Sequence, residues 1–140
     1  MKRIKTINLG LQNLAIQKKF PSLKLYKKNH QDVFWLGELE SSPYAVKYTV
    51  KINYTPYKTK VFIMEPQILK SAPHRYSDQS LCLYHPNDKS YRPDLLIADT
   101  LIPWTCEWLF FYNIWLEEGV WWEKKLLIAP SLVKKGRNTC

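Results

Sequence analysis

Hydrophobic and polar residues alternate most strictly between positions 44 and 54. Side chains of a β-strand point alternately to opposite faces, so this alternation predicts a strand with one buried face and one solvated face. Thr55-Pro56-Tyr57 predicts a turn, and residues 58–64 predict a strand that returns beside the first. The buried face is predicted to hold Tyr44, Val46, Tyr48, Val50, Ile52 and Tyr54, and the solvated face Ala45, Lys47, Thr49, Lys51 and Asn53.

Two shorter apolar runs precede this pair of strands. Residues 23–26 predict a short strand, and residues 33–39 predict another because the run begins with residues that favour extended backbone. The short connections between the predicted strands favour an antiparallel meander. Pro66 is predicted to end the sheet.

A helix is predicted on each side of this sheet in sequence. Asn8 can cap the first helix, and Pro21 stops it. Its apolar face is predicted to contain Leu11, Leu14 and Ala15.

The second predicted helix begins near Asp99 or Thr100, either of which can cap it, with Pro103 in its first turn. Gly119 is predicted to end the helix. Apolar residues lie on most sides of this helix, which predicts that it is largely buried and that its aromatic side chains belong to the core. They recur at helical spacing as Trp104, Trp108, Phe111 and Trp115, beside Leu101, Thr105 and Tyr112.

The composition predicts one folded domain over residues 1–140. Aromatic residues make up 14% of the chain, which argues against disorder, and the formal net charge of +9 favours an acidic partner. Nucleic acid, an acidic protein tail and an anionic membrane surface all fit that charge. The basic chain end from about residue 123 is predicted to be partly mobile.

Lysines on the predicted sheet do not by themselves indicate a nucleic-acid interface. Lys47 and Lys51 share one strand face, with Lys58 and Lys60 nearby. A solvated sheet face is the commoner explanation of such lysines, and no nucleic-acid motif accompanies them. Nucleic acid is therefore not the expected partner.

The sequence also predicts where the protein is found. The N-terminus is basic but lacks the apolar run of a signal peptide, and no stretch has the roughly 20 apolar residues of a membrane span. The cysteines Cys82, Cys106 and Cys140 form no paired framework, which favours a reducing compartment. We therefore expect a soluble, cytoplasmic protein with no membrane partner.

The residues most suited to chemistry lie in a polar, turn-rich segment over residues 71–87. Cys82 stands between two leucines, and His74 precedes it by eight positions. A cysteine thiolate can carry an acyl group as a thioester, with His74, Tyr76 or a loop amide stabilising the oxyanion. A buried structural cysteine explains the same spacing, so the residues alone leave both interpretations open.

Other chemistries are less well supported by the sequence. Cys82, His85 and His74 are too few for a structural zinc site, which usually has four protein ligands. There is no nucleophile-elbow glycine pattern for Ser-His-Asp hydrolysis. The chain has only four glycines and no phosphate-binding glycine loop, so we expect no cofactor and no activation of an acyl group by ATP in this chain.

The order of these elements resembles the ubiquitin-conjugating enzyme fold, an α+β fold with an N-terminal helix, an antiparallel meander, a cysteine loop and a buried C-terminal helix. Leu81-Cys82-Leu83 matches that family's Ile/Val-Cys-Leu setting of the active cysteine. Tyr91-Arg92-Pro93 resembles its Trp-x-Pro, and His74-Arg75-Tyr76 occupies the place of its His-Pro-Asn.

More closely, the chain resembles the bacterial members found in anti-phage operons that signal through cyclic oligonucleotides, known as CBASS operons. The resemblance covers about residues 33–122. It is carried by His74, Tyr76, Asp78, Ser80-Leu81-Cys82-Leu83-Tyr84, Ile97-Ala98-Asp99-Thr100-Leu101-Ile102-Pro103-Trp104, Glu107-Trp108-Leu109, Tyr112, Trp115 and Gly119-Val120-Trp121.

The resemblance implies a cysteine acyltransferase in which Cys82 forms a thioester with the C-terminus of a partner protein, the operon's cyclic-nucleotide synthase. Either a separate activating enzyme acts first or the linkage forms another way. Tyr76 replaces the family's oxyanion-stabilising asparagine, and Gln79 stands where relatives often have glycine. His85-Pro86-Asn87 follows the cysteine and is interpreted as coincidental.

A second interpretation is a non-catalytic binding module of the same fold. In that case the basic face would dock an acidic partner and Cys82 would be incidental. The sequence leaves the roles of Cys106 and Cys140 open.

Overall fold

A computed structural model describes residues 5–85 and 91–122 of the chain. The described part has an N-terminal helix, a four-stranded antiparallel sheet and a C-terminal helix, which confirms the predicted α+β class. The elements are α1 (Leu9–Lys19), β1 (Lys24–Lys27), β2 (Val33–Leu39), β3 (Tyr48–Asn53), β4 (Lys60–Glu65), a short 3-10 helix (Ile97–Asp99) and α2 (Leu101–Glu118).

The sheet has the strand order β1-β2-β3-β4 with every pair antiparallel, so the predicted meander is confirmed. The alternation in β3 buries Tyr48, Val50 and Ile52 as predicted. The strand does not extend upstream to residue 44, however, and Tyr44 and Val46 are exposed. β3 begins at Tyr48 because the neighbouring strand β2 ends at Leu39, which pairs with Tyr48. The alternating residues before Tyr48 lie beyond the end of β2.

Asn8 caps α1 as predicted, because its Oδ1 accepts a hydrogen bond from the Leu11 amide at 2.9 Å. The predicted apolar face is wrong at Leu11 and Leu14, whereas Ala15 packs against the core as predicted. Leu11 and Leu14 are 53% and 59% exposed, whereas Gln12 and Ile16 are buried. The physical reason lies at Gln12, whose side chain satisfies two backbone groups of the segment before α2.

Gln12 joins α1 to the segment that precedes α2. Its Nε2 donates to the Leu95 carbonyl oxygen at 3.1 Å, and its Oε1 accepts from the Ile97 amide at 2.9 Å. A buried backbone group without a partner costs free energy, so glutamine at this position stabilises the folded protein more than leucine would. The face of α1 that carries Gln12 therefore turns inward, and Leu11 and Leu14 turn outward.

The start of α2 differs in detail from its prediction. Thr100 occupies the N-cap position, but its hydroxyl donates backward to the Leu96 carbonyl and does not cap the helix. Asp99 instead forms an ion pair with Lys19 at the end of α1. At the other end Gly119 adopts a left-handed conformation with φ of 73° and donates to the Trp115 carbonyl, which confirms the predicted stop.

The second helix is buried on one face only, not on most sides. Phe110 and Leu116 are 48% and 46% exposed, and Trp104, Phe111 and Trp115 are half-buried. The single buried face contains Leu101, Ile102, Thr105, Trp108, Leu109 and Tyr112.

Side-chain bonds show that both helices cover the same face of the sheet. Trp35 of β2 donates from its Nε1 to Asn13 of α1 at 3.0 Å. The Tyr48 hydroxyl of β3 bonds Asn113 of α2 at 3.0 Å. Trp35 pairs with Ile52, which shares a strand face with Tyr48. The core therefore lies between this sheet face and the helices.

Pro66 directly follows the last residue of β4, which confirms that the sheet ends there. The basic chain end that was predicted to be mobile from about residue 123 lies outside the described residues. Pro86 and Asn87 of the tripeptide after Cys82 lie outside them as well.

Candidate functional site

The segment before Cys82 folds into a small hairpin-like turn that attaches to β4, at the edge of the sheet. Arg75 and Leu81 form an isolated β-bridge. Inside it the Tyr76 amide donates to the Ser80 carbonyl, and the Gln79 amide donates back to the Tyr76 carbonyl, both at 2.9 Å. The Leu81 amide donates to the Val61 carbonyl of β4 at 2.8 Å. The residue next to Cys82 is thereby tied to the last strand.

An ion pair fixes the same turn to β4 from the outside. Asp78 accepts hydrogen bonds from the Ser80 amide and hydroxyl, and its other oxygen lies 2.6 Å from the Lys60 ammonium. The bond from Lys60 makes the largest contribution, and together these bonds hold the pKa of the Asp78 carboxyl well below its usual range. The carboxylate is therefore charged throughout the physiological pH range.

Two residues of this segment have left-handed backbone conformations. His74 has φ of 58° and Gln79 has φ of 78°. Residues other than glycine rarely adopt such angles, and histidine is among the more tolerant. The left-handed conformation at Gln79 is one that glycine adopts without steric cost.

The main chain of His74 lies next to Cys82, although the two are eight positions apart. The His74 carbonyl oxygen accepts a hydrogen bond from the Cys82 amide at 2.9 Å. It also accepts one from Nε1 of Trp108, on α2, at 3.1 Å. The His74 ring packs on Trp121 with 5.0 Å between the ring centroids. The structure therefore brings His74 and Cys82 together through backbone atoms.

Cys82 is buried, with 8% of its surface exposed, and its Sγ lies 3.5 Å from the Tyr84 carbonyl oxygen. Cys106, on α2, is a free thiol. Nucleophilic chemistry at Cys82 requires its thiolate form.

Burial raises the pKa of the Cys106 thiol, with a further contribution from the Glu40 carboxylate. A raised pKa keeps a cysteine in its unreactive thiol form at neutral pH. Cys106 thus has the environment of a structural cysteine.

Tyr76 stands where the resemblance places the oxyanion donor, and it is 39% exposed. Burial, followed by the charge of Asp78, raises the pKa of its phenol. Burial also raises the pKa of Tyr84, and Tyr76 contributes to that rise. Both phenols are consequently protonated at neutral pH and can donate a hydrogen bond.

An aromatic cluster adjoins the cysteine on its C-terminal side and was not predicted as part of the site. The Tyr84 ring packs on Tyr91 and Trp104 at centroid distances of 5.4 and 6.1 Å. Trp108 was likewise predicted only as core. The spacing of tryptophans along a helix indicates a buried face, but it carries no information about which carbonyl an indole N–H will reach.

Within residues 5–85 and 91–122, no three side chains of the types His, Cys, Asp and Glu lie close enough to hold a metal ion together. None of the helices in this part of the chain combines the length and the apolar character that crossing a bilayer requires.

The arrangement described here includes a cysteine in a Leu-Cys-Leu setting, fastened between the last strand and α2. A family model described as Type II CBASS E2 protein matches residues 12–126. The chain belongs to this family. No curated protein is significantly similar to it. Membership confirms the resemblance to ubiquitin-conjugating-like proteins of CBASS operons, and it implies an E2-like role in anti-phage defence with a partner from the same system.

Proposed function

We propose that the protein is an acyl carrier whose Cys82 forms a thioester with the C-terminus of the CBASS cyclic-nucleotide synthase. The observation that carries this proposal is the position of Cys82 within the segment matched by the E2 family model. Support comes from the backbone around it, where the amides of Leu81 and Cys82 are both hydrogen-bonded, to β4 and to the His74 carbonyl. A nucleophile must be held in a defined place to react efficiently.

In the proposed step the reduced Cys82 loses its proton, and the thiolate attacks the carbonyl carbon of an activated C-terminus. A carbon–sulfur bond forms. The bond from that carbon to the leaving group breaks, and the leaving group departs with the electron pair. An acyl phosphate or a thioester on a separate activating enzyme fits the role of donor, because a free carboxylate does not react with a thiolate unaided.

The tetrahedral intermediate of this step carries an oxyanion that needs hydrogen-bond donors. We propose the phenol of Tyr76 for this role, since it is protonated, partly exposed and located in the turn next to Cys82. The carbonyl of His74 is an acceptor and therefore stabilises no oxyanion. Any catalytic role of His74 would belong to its ring.

The proposal is tested by adding to the protein a synthase whose C-terminus has been prepared as an activated thioester, and measuring intact mass under non-reducing conditions. The expected product is a covalent adduct that equals the two chains less one water and that hydroxylamine cleaves. Cys82→Ala should abolish it, whereas the matched variant Cys106→Ala should form it normally. Absence of any Cys82-dependent adduct from reduced wild-type protein would contradict the proposal.

A non-catalytic binding module is the alternative, and the burial of Cys82 at 8% exposure is the observation that favours it. In that case the basic surface would dock an acidic part of the partner. This alternative requires Cys82→Ala to retain both partner binding and anti-phage activity. Loss of defence by a variant that still folds and binds would eliminate it.

The His74 ring is tested with His74→Asn, because asparagine tolerates the left-handed backbone that this position requires. A catalytic imidazole predicts slower adduct formation at unchanged thermal stability. A ring that only packs on Trp121 predicts lower stability, with any loss of rate following from it.

A further inference from the structure

The carbonyl oxygen of His74 is the point where α2 meets the backbone of the cysteine. It accepts the Cys82 amide at 2.9 Å and the indole N–H of Trp108 at 3.1 Å. Trp108 is 4% exposed, so its bond to this carbonyl is protected from competition by water. One acceptor thus links a core helix to the main chain of the proposed nucleophile.

The backbone at this acceptor is in an unfavourable conformation. His74 has φ of 58°, and such angles persist only where surrounding contacts over-determine them. The contacts that do so include the two hydrogen bonds to the carbonyl and the packing of the His74 ring on Trp121. Removal of one bond would let the peptide after His74 reorient, and the Cys82 amide would lose its fixed partner.

Trp108 is itself held rigidly. Its ring stacks on Tyr112 with 5.3 Å between centroids and an interplanar angle of 16°. On another side it packs against Trp121 at 5.1 Å. The indole N–H is therefore aimed at the His74 carbonyl by the packing of α2 and not by the loop.

We infer that Trp108 is a positioning residue for Cys82, acting through the His74 carbonyl to hold the nucleophile's backbone in register with α2. The inference rests on the proposed acyl transfer for its kinetic consequence. The positioning itself is a property of the structure and can be measured separately. A misplacement of about 1 Å can cost roughly a hundredfold in rate, so small movements of this backbone matter.

The test uses Trp108→Phe, which removes the indole N–H and keeps an aromatic ring for the stack on Tyr112. The matched control is Trp35→Phe. Trp35 is fully buried and also donates its indole N–H, to Asn13 at 3.0 Å, but it belongs to β2 and has no part in the cysteine loop. The two variants lose the same ring volume and one partly buried hydrogen bond each.

Two readouts are taken on reduced full-length protein. The rate of Cys82 adduct formation at a saturating concentration of synthase with an activated C-terminus should fall about tenfold or more in Trp108→Phe, with synthase affinity unchanged, and should stay within about twofold of wild type in Trp35→Phe. Hydrogen exchange of the Cys82 amide should become faster in Trp108→Phe alone, because this amide donates to the carbonyl that Trp108 holds.

The outcomes separate the inference from the proposed function. If wild-type protein forms no adduct, the proposed function fails, and the exchange rate of the Cys82 amide still decides the positioning role. If Trp108→Phe keeps the wild-type exchange rate, or slows the adduct no more than Trp35→Phe does, the inference is wrong. Should Trp108→Phe not fold, benzothienylalanine at position 108 keeps the bicyclic ring, removes only the N–H and is held to the same criteria.

Discussion

At the scale of single residues, Gln79 has a conformation that its side chain disfavours. Its φ of 78° costs a residue with a Cβ about 1–2 kcal/mol relative to glycine. Gln79→Gly should therefore raise the free energy of unfolding by up to about 1 kcal/mol, after allowance for the greater freedom of glycine in the unfolded chain. Urea unfolding of the two proteins measures the difference.

The control for this substitution is Ser77→Gly in the same turn. Ser77 is exposed and does not have a positive φ, so glycine there gains nothing in the folded state and should lower stability. Equal losses of stability in both variants would show that the left-handed backbone at Gln79 carries no cost.

The carboxylate of Asp78 should make stability depend on acid. Its pKa lies below the ordinary value of 3.8 because the carboxylate accepts hydrogen bonds from Lys60 and Ser80. The stability that its charge contributes is therefore fully present well above pH 3.8 and is lost as the pH falls from there toward the lowered pKa. At about pH 7, Asp78→Asn should cost about 0.5–1 kcal/mol, a small amount because the pair is partly exposed.

This expectation is measured by urea unfolding of wild type and Asp78→Asn at about pH 7 and about pH 3. The gap between the two proteins should narrow at the lower pH and also narrow in concentrated salt, which screens the Lys60 pair. A gap that is independent of pH would mean that the charge of Asp78 contributes nothing.

At the scale of elements, α1 is attached to the segment before α2 by the polar side chain of Gln12. Gln12→Ala leaves the Leu95 carbonyl and the Ile97 amide without their partner and should cost about 2–4 kcal/mol. Leu14→Ala, on the same helix, should cost less than about 0.5 kcal/mol because Leu14 is 59% exposed.

Thermal and urea unfolding of these two variants compare the structure directly with the sequence-based prediction. The apolar pattern assigned the buried face of α1 to Leu11, Leu14 and Ala15. A larger loss of stability in Leu14→Ala than in Gln12→Ala would support that prediction and contradict the described orientation of the helix.

At the scale of the whole molecule, Gly37 sets how closely the connection after α1 approaches the sheet. A Cβ at this position would lie 2.1 Å from the Ser22 carbonyl oxygen and 2.8 Å from the Leu23 Cα. These are backbone atoms that cannot rotate away, so Gly37→Ala should destabilise the protein by about 3 kcal/mol or more.

Gly10→Ala provides the comparison for Gly37→Ala. The nearest atom to its added Cβ is Oδ1 of Asn8 at 3.4 Å, an ordinary contact, and Gly10 lies within α1. Alanine should there raise stability by up to about 1 kcal/mol. Circular dichroism melts distinguish the two, and a tolerated Gly37→Ala would contradict the close approach.

Local patterns in the sequence determined the class of the fold and most of its elements. The strands were predictable from alternation and short connections, and the ends of the helices from Asn8 and Gly119, because each signal depends on neighbours within a few positions. The Leu81-Cys82-Leu83 setting, together with the other spaced motifs and the order of elements, indicated the family that residues 12–126 match. The catalytic roles of Cys82, His74 and Tyr76 stay predictions.

Contacts between distant parts of the chain were decided by the tertiary structure alone. Gln12 is buried because the segment about 85 residues later offers it two backbone groups, and no local pattern reports them. Trp108 reaches the His74 carbonyl across 34 positions. Helical spacing places a tryptophan on a buried face, but the packing of three segments determines what its N–H contacts. For that reason the support of the cysteine loop could not be predicted from the sequence.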